Sequence, residues 1–279
     1  MSKRSRLALP LVLLAAAGAR CRPAVEGPLR PSHDVHALVS RELLREANRG
    51  REILGADGRF SLPKRAKRVW VDVGAHLLET TQPELEKSRD LALIAIEPLA
   101  ERWRAWPSDE RLIALPVAID LERGMLDFHV NADDNTSSLA ESLEETPYDR
   151  LTRTVEVRKV PVLRLEDILE RIPLRVDVDY LKTDVQGFDL RVLQSAGQQL
   201  RRVRRVKAEV INAAIYKGAG AARPGLEQEV VDYMRSLGFR FERDSGTRPG
   251  RPWVDKDFVN PARVSLLSRA KGLFRTLPD

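Results

Sequence analysis

A chain of 279 residues, 43% hydrophobic and 32% charged, suits one α/β domain of catalytic size with extensions. Its single cysteine, Cys21, excludes an intramolecular disulfide and any multi-cysteine zinc site, and its histidines (His33, His36, His76 and His129) show no metal-ligand spacing; no metal ligands are assigned, and metal dependence stays open, with Asp184 and Glu209 the one thin candidate pair. The net charge of +6, from 47 basic against 41 acidic residues, is a modest excess that carries little weight toward a polyanionic partner.

The chain opens with Lys3, Arg4 and Arg6, an apolar run from Leu7 to Ala17, and small residues beyond it. This fits a secretory or organelle-targeting signal too short to span a bilayer, followed by a Pro/Gly/Arg linker to residue 31. The expected location is therefore the secretory pathway or an organelle, or the cytoplasm if the leader does not function, and no transmembrane span is expected in the mature chain. From His36 to Ile53, Leu38, Val39, Leu43, Leu44 and Ala47 fall near helical spacing and predict an amphipathic helix within an extension over residues 32–67. Residues 68–262 then form the expected catalytic domain, and 263–279 a tail.

Within that domain strands and helices alternate. Arg68 to Val73, Leu91 to Glu97 and Leu112 to Ile119 read as strands, with helices near Pro83 to Ser88 and Leu99 to Ala105. Such alternation predicts βαβ units and a mostly parallel sheet with helices on both faces. Met125 to Val130 predicts an edge hairpin closing over a site with the polar loop Asn131 to Ser138 behind it. Val155 to Val162 is a strand, Leu165 to Glu170 a short helix, and Tyr180 to Asp184 a strand ending on an acid. Gly187 to Gly197 reads as a helix with Leu190 and Leu193 inward and Arg191 and Ser195 outward. Arg204 to Val210 is a strand, Leu226 to Leu237 a helix, and Phe239 to Glu242 and Asp257 to Asn260 close the pattern.

Parallel strands deliver their carboxyl ends to one edge, so the acids there, Asp72, Glu97, Asp120, Asp184 and Glu209, are expected to face one crevice. In Val71-Asp72-Val73-Gly74-Ala75-His76, Gly74 either admits a ligand or simply makes a tight strand-to-helix turn. No further glycine follows it closely enough to cradle a pyrophosphate, which argues against a dinucleotide. Glu97 follows Asp72 by 25 residues (97 − 72), near the roughly 20-residue offset at which an acid accepts ribose hydroxyls. The other role for Glu97 is a helix-start acid beside Pro98. Asp120 contacts an adenine amine or caps a turn, and Asp184 orients ligand or caps the next helix. His76 is a candidate general base or only a hydrogen-bonding loop residue. The run Arg201, Arg202, Arg204, Arg205 and Lys207 lacks interleaved aromatics and reads as a solvated face, so nucleic acid is not an expected partner. Trp103 and Trp106 are expected to pack on the sheet.

Several blocks together resemble the FkbM family of S-adenosylmethionine-dependent methyltransferases: Val71-Asp72-Val73-Gly74-Ala75, Ile96-Glu97-Pro98, Asn135-Thr136-Ser137-Ser138-Leu139, Val160 to Leu169, and Tyr180 to Leu190. Lys182-Thr183-Asp184-Val185-Gln186-Gly187 is the most specific of them. The resemblance implies a Rossmann-like class I methyltransferase fold, S-adenosyl-L-methionine as cofactor, and methyl transfer to a hydroxyl of a small molecule or glycan. Carried over, Asp72 and Gly74 line the methionine side of the cofactor, Glu97 its ribose and Asp120 its adenine, while Asp184 faces the methyl-transfer site, with Asp184 or His76 as the base. His76 and Leu78 stand where the family usually has Asn and Gly, and Gln186 where Glu is usual. The alternative implied by those departures is a methyltransferase fold kept as a catalytically inactive binding protein.

Overall fold

The computed structural model describes residues 35–218, 222–246 and 251–264; the leader, the linker and nearly all of the tail lie outside them. In chain order the elements are α1 (Arg41–Ala47), β1 (Arg68–Val73), α2 (Gln82–Lys87), β2 (Leu91–Ile96), α3 (Ala100–Trp103), β3 (Leu112–Leu115), β4 (Ala118–Ile119), β5 (Gly124–Asn131), α4 (Asp149–Thr152), β6 (Thr154–Leu163), α5 (Leu165–Arg171), β7 (Asp177–Thr183), α6 (Asp189–Ser195), β8 (Val203–Ile211), α7 (Leu226–Ser236), β9 (Arg240–Ser245) and β10 (Trp253–Val259).

The central sheet has seven strands in the order β3-β2-β1-β7-β8-β10-β9. The pairs from β3 to β8 are parallel, and β10 is antiparallel to both β8 and β9. Strand order reverses between β1 and β7, the place where open α/β sheets leave a crevice at their carboxyl edge. With both faces of the sheet covered, β2 is buried throughout and β1 from Val69 onward. Val69, Val71 and Val73 enter one apolar layer with Ala92, Ile94 and Ile96, while Trp70, Leu91, Leu93 and Ala95 enter the other. The first layer is closed by Leu165 and Ile168 of α5, Leu193 of α6 and Met234 of α7. The second is closed by Trp103 and Trp106, both packed against the sheet as expected. No helix among the described residues is long and apolar enough to cross a membrane.

Four local expectations are corrected. The run Leu112 to Ile119 is two strands, because Pro116 has no N–H for a ladder, and the chain leaves the central sheet there. β4 then pairs parallel with β6, and β5 antiparallel with β6, so the expected edge hairpin belongs to a separate sheet of order β4-β6-β5. The amino-terminal helix is short: Ser40 Oγ caps it by accepting the Leu43 N–H at 3.1 Å, and Gly50, at φ +81°, lies just beyond its end. Ser195 is fully buried, donating to the Val192 carbonyl and accepting from the Leu165 N–H, and Arg191 is drawn into an ion pair instead of pointing to water.

The basic run is only partly a solvated face: Arg201 is exposed and Arg202, Arg204 and Arg205 are half-buried. Arg202 donates to the Leu169 and Ile172 carbonyls, Arg204 pairs with Asp179 at 2.8 Å, and Lys207 is buried beside Asp255 at 3.5 Å. These three cations tie β8 and the turn before it to the rest of the molecule.

Candidate active site at the carboxyl edge of the sheet

The carboxyl ends of β1, β2, β7 and β8 border a cavity of about 530 Å³. A smaller one of about 170 Å³ adjoins it and shares Gly74, His76, Asn135 and Asp184. Of the five strand-end acids, Glu97, Asp184 and Glu209 line the larger cavity and Asp72 the smaller; Asp120 lines neither.

Gly74 sits at φ +76°, and a Cβ there would run into the Asp184 carbonyl. The glycine therefore lets the ends of β1 and β7 close on each other. Two residues on, His76 also adopts positive φ (+43°), which turns its N–H onto Glu97 Oε2 at 3.1 Å. The Leu99 N–H donates to Glu97 Oε1 at 2.9 Å, so each oxygen holds one bond and keeps a lone pair for a ligand hydroxyl. Burial pushes the Glu97 carboxyl up to about 7, opposed by those two N–H donors. The His76 ring lies between Glu79 (3.2 Å) and Asp134 (3.5 Å), and its carbonyl accepts from Trp106 Nε1 at 2.7 Å. Leu78, at φ +63°, is fully buried and turns into the core beside Leu85 and Trp106, not into either cavity.

Asp72 and Lys182 face each other in the β1–β7 ladder, with Lys182 Nζ 3.4 Å from Asp72 and 3.3 Å from Asp184. Thr81 Oγ1 also donates to Asp72 at 2.8 Å. Burial pushes the Asp72 carboxyl above its usual range, against the pull of Lys182. For Lys182, burial works against the charge, but Asp184 and Asp72 outweigh it and raise its pKa.

Beyond Asp184, the Gln186 side-chain amide donates one hydrogen to Asp184 Oδ1 at 2.9 Å and the other to Glu209 Oε2 at 2.8 Å. Burial raises the Glu209 carboxyl well above its usual range, reinforced by the charges of Asp184 and Asp189. Burial opposes ionisation of Asp184 too, but Lys182 and the hydrogen bonds from Glu209 and Gln186 hold it below its usual range. The two carboxyls are thus pushed in opposite directions, Asp184 toward its ionised form and Glu209 toward its protonated one. Gly187, at φ +100°, leaves room for the Tyr216 ring, whose hydroxyl donates to the Thr136 carbonyl at 2.9 Å.

The segment 131–139 covers the crevice and is pinned at both ends. Ser138 Oγ reaches the Val185 and Gln186 carbonyls at 3.1 and 3.0 Å, and Asp134 pairs with Arg102. Asp120 is buried and held by Arg191 through two bonds of 2.7 and 2.8 Å; the cavity wall next to it is Val117, Ala118 and Ile119. Tyr216, Arg251 and Trp253 line the cavity without having been singled out in the sequence. They come from the ends of β8 and β10, whose antiparallel pairing has no local sequence mark.

Comparison with curated proteins finds no match. Among solved structures the chain is similar to the antibiotic-resistance methyltransferase Kmr, at 14% identity over 71% of this chain and 89% of that one, with a TM-score of 0.37. It is similar to the mitomycin 7-O-methyltransferase MmcR at 15% identity, covering 70% and 49%, TM-score 0.36. A third is Sp1610 of Streptococcus pneumoniae, a putative tRNA (m1A22) methyltransferase solved with S-adenosyl-L-methionine, at 14% identity, covering 76% and 75%, TM-score 0.35. The sequence profile described as the methyltransferase FkbM domain matches residues 72–241, more than half of the chain, from the carboxyl end of β1 to the start of β9. With its reversed strand order and mostly parallel sheet, the chain has a Rossmann-like class I methyltransferase fold and belongs to the FkbM methyltransferase domain family.

Proposed function

We propose that this methyltransferase uses S-adenosyl-L-methionine to methylate a hydroxyl oxygen of a small molecule or glycan. The observation that carries the proposal is one continuous crevice with Glu97 and an ionised Asp184 on its wall. Glu97 fits a ribose, since both oxygens are oriented by backbone N–H groups and each retains acceptor capacity. The smaller cavity, with Asp72, Lys182 and the Gly74 turn, offers charged groups of both signs for an amino-acid end. When bound, the cofactor supplies a methyl on a sulfonium sulfur. The chain's part is to align the acceptor and receive its proton, as methyl transfer asks for little else.

Asp184 is the base we favour, because it is ionised and lines both cavities. His76 also lines both cavities, with its ring Nδ1 bonded to Glu79 and its backbone N–H orienting Glu97. Leu78, which stands where the family has glycine, leaves both cavities clear, so that departure gives no ground for an inactive binding protein.

Titration calorimetry with S-adenosylmethionine tests the assignment. A folded sample should bind, and Glu97→Ala should weaken binding by at least about tenfold through loss of a charged hydrogen-bond acceptor. A folded wild type that binds nothing, or a Glu97→Ala variant indistinguishable from it, ends the proposal; binding without turnover on any hydroxylated acceptor would point to the inactive alternative.

A further inference from the structure

One end of the large cavity has a different character from the rest. Phe188, Trp253 and Tyr148 are half-buried there, packed against an apolar cluster that includes Ile211, Ile215 and Tyr216. Rings grouped in one wall suit the flat face of a ring-shaped ligand, with Phe188 and Trp253 each carrying a guanidinium over one face, that of Arg191 at 5.0 Å and that of Arg251. Arg251 stands among them with its guanidinium 4.9 Å from the Trp253 ring centroid. Among the described residues it is the only Lys or Arg lining the cavity.

The acids of the cavity do not call for this cation. Asp134 is paired with Arg102, Asp184 with Lys182, and Glu97 is held by backbone N–H groups. Glu209 accepts from Gln186, with burial disfavouring its charge, and Asp133 caps the short turn after it by accepting the Asn135 N–H. No acid among the described residues forms an ion pair with Arg251. A guanidinium stacked on an indole keeps its in-plane N–H donors, the geometry that reads an oxyanion in two-pronged fashion.

We propose that this end of the cavity is an acceptor subsite for a hydroxylated ring carrying an oxyanion, a carboxylate or phosphate, with the rings holding its face and Arg251 its anionic group. The term acceptor rests on the methyl-transfer proposal; the anion site stands on the cavity alone.

The test uses the full chain, with and without saturating S-adenosylhomocysteine, titrated with paired probes while tryptophan fluorescence is followed. Trp253 is the half-buried indole, the other three being buried. One pair is 4-hydroxybenzoate against 4-hydroxybenzamide, the other glucuronate against glucose; they separate aromatic from sugar acids. At least one acid should bind about tenfold or more tightly than its neutral counterpart. Arg251→Gln should erase that preference, Arg251→Lys should restore part of it, and cofactor affinity should stay within about threefold of wild type. The proposal is overturned if neither acid binds, if acid and neutral probe bind alike, or if the preference survives in Arg251→Gln. A tenfold loss of S-adenosylmethionine affinity in Arg251→Gln would also overturn it, assigning the arginine to the cofactor. Failure of the methyltransferase proposal shows up separately, as wild-type protein that prefers the acid probe but does not bind S-adenosylmethionine.

Discussion

Gln186 occupies a place where the related family usually carries a carboxylate, and its surroundings explain the amide. It sits at φ +57° between Asp184 and Glu209 and donates to both. A glutamate there could offer at most one proton, and once ionised it would be a third carboxylate against two buried ones. Burial and like charge would raise the folded pKa of such a group above its unfolded value. Its penalty is therefore absent below the ordinary carboxylate range and grows as pH rises through the folded pKa. Gln186→Glu is expected to cost about 1–3 kcal/mol of folding free energy at pH 8 and less at pH 5. Urea unfolding at the two pH values checks this; an equal cost at both would mean that the loss of an amide donor, and not a third carboxylate charge, sets the penalty. Leu78 shows another local rule broken by context. A left-handed leucine costs on the order of 1–2 kcal/mol, and full burial of its side chain in the layer around Trp106 offsets that.

At the level of elements, the β4–α6 contact rests on Asp120 and Arg191, partners 71 residues apart. From sequence alone Asp120 offered an adenine contact or a turn cap, and its pairing partner carried no mark. The arginines near β8 were misjudged for the same reason, since Arg204 and Lys207 meet acids on β7 and β10 only once the sheet is assembled. What could be read was the part set by local pattern: fully apolar β2, the strand-end acids, and the glycine turn after β1. Strand breaks such as Pro116 were visible as residues but not as a change of sheet. Asp120→Ala separates the two roles of that residue. It removes the Asp120 ion pair of Arg191, itself 24% exposed, so stability should fall by about 2 kcal/mol, below the range for a fully buried pair. Cofactor affinity should change less than about threefold if the carboxylate serves the β4–α6 contact. A tenfold weaker affinity in a folded variant would return Asp120 to the adenine.

For the molecule as a whole, the crevice has been built at the expense of stability, and pH should expose this. Burial raises both Glu97 and Asp189 to about 7, from ordinary values of 4.5 and 3.8. An acid whose folded pKa is raised binds its proton more tightly folded than unfolded. Its stabilising contribution is complete below the unfolded value and is lost as pH rises through the folded one. Between pH 5 and 8 these two groups should therefore lower the unfolding free energy of the ligand-free protein by a few kcal/mol. Asp184 does not counter the trend in that window: its pKa is lowered from 3.8, so its contribution is already complete above that value. The cofactor should act in the opposite direction, because ribose hydroxyls donating to Glu97 favour its ionised form. Affinity for S-adenosylmethionine should accordingly rise with pH across the neighbourhood of 7, and saturating cofactor should flatten the stability decline. Glu97→Gln, which cannot ionise, should lessen the stability slope and remove the pH dependence of affinity contributed by this residue. Urea unfolding and calorimetry from pH 5 to 8 measure both. A ligand-free protein that gains stability across that range, or an affinity that falls as pH rises, would contradict the placement of Glu97 at the ribose.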